Sequence, residues 1–231
     1  MDININTIPN NLLKRLLSIP SVQHLKVHTT TFMNFHDDFD YTVSQQLKYF
    51  CFRTHKGALD FDILIKLPST LQSLDLRNNA PYPLNMLDSL PQGLISLTLY
   101  CETFIDRYYK FPPYLTHLRL PTNTHMCVET LRNLPSSITL LNLNENDDIT
   151  DDMLPNMPPN LTYLDLTENY KITINGIRNL PRSLTTFVDN PVGGVTDETI
   201  LYFPPGLTRL KLNRRIRQNI IGVLVHMPQN Q

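Results

Sequence analysis

A proline-and-leucine pattern recurs along the chain at an almost constant interval. In each clear copy an apolar residue and a proline are followed by Leu-x-x-Leu-x-Leu or a close variant, as in MPPNLTYLDL from Met157. Successive copies begin 23, 21, 23, 23, 23 and 23 residues apart. A repeat unit of this length cannot bury its apolar face alone and must stack on its neighbours. The spacing therefore predicts a stacked, repetitive architecture.

Nine copies can be aligned. Two weaker ones lie at the N-terminal end, where Ser44 replaces the proline in one copy and the Ile19 copy is one residue shorter. The nine copies begin at Ile19, Val43, Leu67, Leu90, Phe111, Leu134, Met157, Leu180 and Phe203.

Each unit divides into a strand and a short helix. The Leu-x-x-Leu-x-Leu run alternates with period two, which is typical of a strand with one buried face. In three copies a threonine (Thr150, Thr173 or Thr196) precedes the second half at the position of a helix N-cap. The proline that follows lacks an N–H and disfavours α geometry in the preceding residue. It should therefore end the helix and return the chain to the next strand.

The unit resembles the leucine-rich repeat, whose signature is Leu-x-x-Leu-x-Leu-x-x-Asn. The resemblance covers roughly residues 19 to 213, and the proline opening resembles repeats of bacterial effectors and of amoebal or giant-virus proteins. It implies an α/β solenoid of about nine repeats, curved, with a parallel concave sheet and short helices on the convex side. It also implies that the signature asparagine hydrogen-bonds neighbouring backbone inside the turn. Four copies carry that residue, at Asn79, Asn123, Asn146 and Asn169.

The chain is expected to form one continuous domain with capped ends. Residues 1–18 contain Asn11-LLKRLL, which predicts a short amphipathic helix that covers the first repeat, with Asn10 as its N-cap. The repeats should occupy residues 19–213. Residues 214–231 include the apolar run Ile220-IGVLV, which we expect to cover the last repeat, because an open solenoid end would expose its leucines.

Charge and cysteine content limit the expected compartment and the classes of partner. The formal net charge is −1, which argues against a surface built throughout to neutralise phosphates. Three cysteines do not make a disulfide framework and fit a reducing compartment. The sequence shows neither a signal peptide nor a membrane span. We therefore expect a cytoplasmic monomer that does not bind a membrane, or a protein inside a host cell if the chain comes from a pathogen.

The residues between the leucines are the candidates for recognition. Because the strand leucines point inward, positions three, five and seven, counted from the first leucine, should form three rows across the concave face. Row three is His24, Tyr49, Ser73, Ser96, His117, Leu140, Tyr163, Thr186 and Arg209; rows five and seven lie two and four residues further along each strand. Aromatic and arginine side chains carry much of the binding energy in protein interfaces. The partner-binding residues predicted on this basis are Tyr49, Arg53, Asp75, Arg77, Tyr100, Arg119, Tyr163 and Asp165.

Metal binding, thiol catalysis and nucleic-acid binding have weaker support in the sequence than protein binding. His24 and His28 could share a metal ion, but zinc needs three or four ligands. Cys51 could act as a thiol nucleophile, yet reactive cysteines need a defined electropositive pocket. No catalytic residue, metal or cofactor is therefore assigned. A C-terminal basic patch could contact phosphates, although nucleic acid is not expected as the partner; it comprises Lys211, Arg214, Arg215 and Arg217.

The function predicted from the sequence is a non-enzymatic protein–protein interaction module, or scaffold, that binds a protein partner on its concave face. The alternative is a substrate-recruiting part of a ubiquitin-ligase system that acts through a separate domain or subunit. Fold does not fix function, so this choice rests partly on what such repeats usually do.

Overall fold

The structure of the 231-residue chain is a computed structural model. It describes residues 2–4, 10–29, 42–54, 62–77, 84–100, 103–105, 109–121, 124–189, 199–216 and 219–226. The chain forms two compact units. Unit 1 comprises residues 1–103 and 111–115, and unit 2 comprises residues 104–110 and 116–231. The expected boundaries of the caps, at residues 18 and 213, stay predictions.

Unit 1 contains a parallel sheet in which the order of the strands follows the sequence. Its strands are β1 (Asp2–Asn4), β2 (His24–Thr29), β3 (Tyr49–Thr54), β4 (Ser73–Arg77) and β5 (Ser96–Tyr100). Each pairs in parallel with the next. The repeat interval explains this order. Each repeat forms one coil, so the next strand lies beside the strand of the preceding repeat.

Unit 2 continues the repetition with one parallel strand from each copy. These strands are β7 (His117–Arg119), β9 (Leu140–Asn142), β10 (Tyr163–Asp165), β11 (Thr186–Val188) and β12 (Arg209–Ile216), and each pairs with the next. Two further short strands are β6 (Thr103–Ile105) and β8 (Thr124–Met126). All nine repeat copies therefore contribute a strand within the described part of the chain, as the period predicts.

Short helices occupy the other half of the repeats. The α-helices are α1 (Asn10–Leu17), α2 (Asp62–Ile65), α3 (Val128–Arg132) and α4 (Ile174–Ile177). The 3₁₀ helices are η1 (Leu84–Ser89), η2 (Asp151–Asn156) and η3 (Thr199–Tyr202). Pro155 lies inside η2, where the short helix limits the cost of its missing N–H.

The predicted threonine caps are confirmed in position but differ in bonding. Thr173 Oγ1 accepts a hydrogen bond from the Asn175 N–H at 3.1 Å. Thr150 also occupies an N-cap, but its hydroxyl donates to Asp152 Oδ1 and makes no cap bond. Thr196 lies outside the described residues. One of the two described threonines therefore caps its helix through its side chain.

The repeat proline also begins the turn into the next strand. In all seven clear copies its carbonyl accepts a hydrogen bond from the backbone N–H three residues later, at 3.0 to 3.2 Å, as between Pro158 and Leu161. Ser44, which replaces proline in a weaker copy, makes the same turn with Leu47 at 3.1 Å. Its own N–H, which proline lacks, donates to the Leu17 carbonyl at 2.7 Å. The turn thus depends on the carbonyl, and proline fixes its geometry.

The core of each unit is a stack of apolar strand side chains, most of them leucine. The middle apolar position of every repeat strand is fully buried: Leu25, Phe50, Leu74 and Leu97 in unit 1, and Leu118, Leu141, Leu164, Phe187 and Leu210 in unit 2. Burying one such side chain contributes about 1.5–3 kcal/mol. The stack is therefore the main source of stability that the described structure shows.

The signature asparagine has the predicted role in both described turns that contain it. Asn146 is 1% exposed, and its Nδ2 donates to the Leu120 carbonyl at 2.8 Å. Asn169 is 3% exposed and donates to the Leu143 carbonyl at 2.9 Å. Each asparagine thereby links its own turn to the preceding coil. Asn79 and Asn123 lie outside the described residues.

The two ends of the chain contain elements that the repeat pattern does not specify. The predicted N-terminal helix is present as α1, which includes Asn10. Strand β1 precedes it and pairs with β2. At the other end β13 (Asn219–His226) pairs antiparallel with β12, from Asn219 opposite Ile216 to His226 opposite Arg209. The segment after residue 213 therefore forms part of a hairpin.

Candidate protein-binding face

The strand register confirms rows three and five within each unit and row seven within unit 1. In unit 1, His24, Tyr49, Ser73 and Ser96 lie side by side on adjacent strands. In unit 2, the corresponding row is His117, Leu140, Tyr163, Thr186 and Arg209. Their side chains alternate with the buried leucines along each strand and are half-buried or exposed. We call the side of the sheet that carries rows three, five and seven the open face of each unit.

Asp75 is the centre of the open face of unit 1. Its carboxylate accepts a hydrogen bond from Arg53 Nη2 at 2.9 Å and another from Arg77 Nε at 3.0 Å. The aspartate side chain is 12% exposed, whereas the two arginine side chains are 33% and 34% exposed. Asp75 itself therefore offers little surface to a partner. It holds in place two arginine side chains that are exposed enough to contact a partner.

Tyr100 packs against Arg77, one of the two arginines that bind Asp75. The Arg77 guanidinium carbon lies 4.4 Å from the centre of the Tyr100 ring, within the range of a cation–π contact. Arg77 is thus held by a carboxylate and an aromatic face together. A side chain restrained in this way loses less conformational entropy when it binds a ligand.

Tyr49 and Cys51 are stabilised in their neutral forms. Burial, followed by the nearby Cys51 and Asp75, raises the pKa of Tyr49 to about 12. Burial, followed by the negative charge of Asp75, also raises the pKa of the Cys51 thiol. Cys51 is fully buried, so it is not the reactive thiolate that a nucleophile requires. Tyr49 stacks on His24 with ring centres 6.0 Å apart.

Asp165 organises the open face of unit 2 through neutral donors. Its Oδ1 accepts hydrogen bonds from the Thr167 N–H at 3.0 Å and the Thr167 hydroxyl at 2.6 Å. Its Oδ2 accepts one from Asn142 Nδ2 at 3.1 Å. Asn142 Oδ1 in turn accepts from the Asn144 N–H at 3.2 Å, so the same local bond recurs in adjacent coils. This network holds row five across two strands.

Tyr163 adjoins this network and is half-buried. Burial, followed by the charge of Asp165, raises its pKa, and the positive charge of Arg119 opposes the shift only partly. Tyr163 therefore remains a neutral hydroxyl at physiological pH. The pKa of His117 is lowered by burial and then by the charge of Arg119. The face of unit 2 thus offers a neutral tyrosine and, two strands away, a half-buried arginine.

The predicted basic patch is described only in part. Lys211 is exposed on β12. For Arg214 and Arg215, on the same strand, the structure describes the backbone, and Arg217 lies outside the described residues. Phosphate contact by this patch therefore stays a prediction.

A row of threonines along unit 2 was not identified from the sequence. Each hydroxyl after the first donates to the backbone carbonyl of the preceding threonine at 3.0 to 3.3 Å; the row is Thr116, Thr139, Thr162, Thr185 and Thr208. The signal was available, because every clear copy in this unit has threonine directly after its first strand leucine or isoleucine. The row joins successive coils at the entrance to each strand.

Among the side chains that the structure describes, no group of three or more His, Cys, Asp or Glu residues is placed to hold a metal ion. None of the helices in the described segments is long and apolar enough to cross a membrane.

The fold is similar to solved leucine-rich repeat structures. The leucine-rich repeat-containing protein LegL7 from Legionella pneumophila matches 96% of this chain with 92% of its own, at 14% identity and a TM-score of 0.50. An internalin (inlF) from Listeria monocytogenes matches 86% of this chain with 63% of its own, at 17% identity and a TM-score of 0.50. The circular leucine-rich repeat protein CroV588 has a TM-score of 0.42, too low to support an argument.

No family model matches the chain, and no curated protein matches it. The structural similarity, the parallel strands and the asparagine turns together show that the chain has the leucine-rich repeat fold. At these identities the similarity shows the fold alone.

Proposed function

We propose that the chain is a non-enzymatic protein-binding module that contacts its partner through the open face of its sheet. The observation that carries this proposal is the organised set of aromatic and cationic side chains on that face. Core packing requires the leucines, and it does not require Tyr163, Arg119 or Arg77. Residues that are positioned by a rigid scaffold but not needed by its core are suited to recognition.

The hydrogen-bond network supports a preorganised surface. Asn142 and Thr167 fix Asp165, and Asp165 lies beside Tyr163. Tyrosine and arginine are enriched among the residues that dominate interface energetics. Binding to such a face should need little backbone movement. Truncating one well-packed anchor of this kind typically costs 2 kcal/mol or more, about a thirty-fold loss of affinity.

A comparative pulldown tests the proposal. The wild-type chain, the double variant Tyr163→Ala/Arg119→Ala and the control Tyr170→Ala/Arg182→Ala serve as baits in an extract of the source cells, with quantitative mass spectrometry as the readout. The control also removes one tyrosine and one arginine from unit 2, both exposed and outside the three rows. A partner captured by the wild type should be lost by the first variant and kept by the control. Retention by the first variant would refute the assignment to the open face.

The ubiquitin-ligase alternative concerns what happens after binding. A recruiting module would still bind through its face but would deliver its partner to a separate catalytic subunit. Ubiquitin discharge catalysed by the purified chain would contradict the non-enzymatic proposal. Copurification of a ligase subunit together with a second partner would favour the recruiting role.

A further inference from the structure

The open face of unit 1 carries more positive than negative charge. On β3 and β4, row seven places Arg53 beside Arg77 on neighbouring strands, and row five supplies Asp75. Two arginines therefore share one carboxylate, which leaves a net charge of +1 in the cluster. Lys26 lies two strands from Asp75 in row five and adds a further half-buried cation.

The two arginine side chains are held in place by Asp75 and are partly exposed. Adjacent strands lie about 4.8 Å apart, so the two arginines extend from neighbouring backbone positions. About one third of each side chain is exposed. Arg77 uses Nε and Nη2 toward Asp75 and lies against Tyr100, while Arg53 uses Nη2. A guanidinium has five N–H donors. Arg53 Nε is buried without a hydrogen-bond partner, so the donors of each arginine beyond those used on Asp75 are its remaining Nη N–H groups.

We infer that the unit 1 face recognises a carboxylate-rich segment of its protein partner, with Arg53 and Arg77 binding glutamate or aspartate side chains. This inference rests on the proposed function and specifies the chemistry of the partner. Arginine pairs bind carboxylates in a planar, two-point geometry that lysine cannot reproduce. The Tyr100 ring adds an apolar surface beside the charged groups, as is common in protein interfaces.

A protein segment fits this cluster better than a nucleic acid. Duplex DNA carries one negative charge per roughly 1.7 Å and is bound by extended arrays of cations. Here the excess charge is confined to a few residues, Asp75 lies in their midst, and the whole chain carries a formal net charge of −1. One or two carboxylates match that arrangement, whereas a continuous phosphate backbone would meet the aspartate.

Fluorescence anisotropy with defined probes tests the inference on the full chain. The probes are a labelled peptide of alternating glutamate and glycine, the same peptide with glutamine for glutamate, and a labelled oligothymidylate of equal length. The protein variants are Arg53→Gln, Arg77→Gln and the control Arg182→Gln, which removes one exposed charge from unit 2. We expect the glutamate peptide to bind more tightly than the glutamine peptide. Each face variant should weaken its binding about ten-fold or more, the size of one charge-assisted hydrogen bond, while the control leaves it unchanged.

Asp75→Asn provides a variant in which both arginines remain. Removing the internal carboxylate releases the guanidinium groups for an external one, so the glutamate peptide should bind at least twice as tightly as it does to the wild type. A purely structural role for the cluster predicts the opposite sign, because loss of the ion pairs would disorder both arginines. Circular dichroism confirms that each variant used is folded.

Some results would overturn the inference. These are equal affinity for the two peptides, equal loss in the Arg182→Gln control, weaker binding in Asp75→Asn, or tighter arginine-dependent binding of the oligothymidylate. They leave the proposed function standing if the pulldown partner is still lost with Tyr163→Ala/Arg119→Ala. Retention of that partner by the double variant would instead refute the proposed function, whatever the peptides do.

Discussion

Replacing Asn169 should destabilise the fold by removing the donors that join one turn to the preceding coil. The side chain is 3% exposed, and its Nδ2 donates to the carbonyls of Leu143 at 2.9 Å and Leu166 at 2.7 Å. The Leu166 carbonyl also accepts the Asn169 N–H at 3.1 Å, so it keeps a donor after substitution. The Leu143 carbonyl has no second donor among the described bonds. The main loss is therefore one buried carbonyl left unsatisfied.

The expected cost follows from that loss. An unsatisfied buried backbone group costs about 1–3 kcal/mol, and the second bond adds roughly 0.5–1 kcal/mol, so Asn169→Ala should lower the free energy of unfolding by about 1.5–4 kcal/mol. Asn169→Asp should cost more, although it is nearly isosteric, because a buried carboxylate would face two carbonyl oxygens. Within the described residues Asn169 Oδ1 has no hydrogen-bond partner, so the contribution of the amide lies in its nitrogen.

Equilibrium urea unfolding followed by circular dichroism measures these differences, with the slope compared between variants to check that the transition is unchanged. Thr162→Val is the matched control. Its hydroxyl donates to the Thr139 carbonyl at 3.1 Å, but that carbonyl also accepts the N–H groups of Thr162 and Tyr163 at 2.8 and 3.0 Å. The control should cost less than about 0.5 kcal/mol. A smaller cost for Asn169→Asp than for Asn169→Ala, or costs equal to the control, would refute the role of the amide nitrogen.

Three further outcomes follow from packing and charge. Leu164→Ala should cost about 2–5 kcal/mol in urea unfolding, because Leu164 is fully buried; a cost below 1 kcal/mol would contradict its place in the core. Gly176→Ala should destabilise, because its new Cβ would lie 2.3 Å from Asp151 Oδ1, whereas Gly206→Ala meets its nearest atom at 3.8 Å and should be tolerated; equal unfolding midpoints would contradict this difference. His117 has a lowered pKa in the fold, so its protonation favours the unfolded chain. The stability that neutral His117 contributes should be complete above pH 6.5, the ordinary histidine pKa, and should be lost as the pH falls from that value through the lowered pKa of the folded state. His117→Gln should therefore lose less stability than the wild type between pH 7.5 and 5.5; an unchanged pH dependence would contradict this.

The strand positions and rows were predictable because the signal is periodic. Leu161 and Leu164 recur in register with apolar residues, mostly leucine, in the other eight copies. A short strand that buries one face must repeat that spacing. The turn asparagine was predictable for the same reason, since the resemblance assigns one role to one position. Asn146 and Asn169 both confirm it.

Contacts between residues of different coils were harder to predict. The sequence favoured Arg53, Arg77 and Asp75 as separate partner-binding side chains, but it could not show that the aspartate is committed to both arginines. That pairing depends on side-chain rotamers across adjacent strands, which no local pattern encodes. Strand β13 was equally hard to predict. It pairs antiparallel with β12 and does not follow the repeat from which the strands of the nine copies were inferred.

The central claim is that the open face, and not the remaining surface, binds the partner. Once a partner has been identified by pulldown, isothermal titration calorimetry can compare its affinity for the wild type, for Tyr163→Ala/Arg119→Ala and for Tyr170→Ala/Arg182→Ala. We expect at least a thirty-fold loss of affinity for the first variant and less than a two-fold change for the second. Equal affinities of all three proteins, or a loss confined to the second variant, would contradict it.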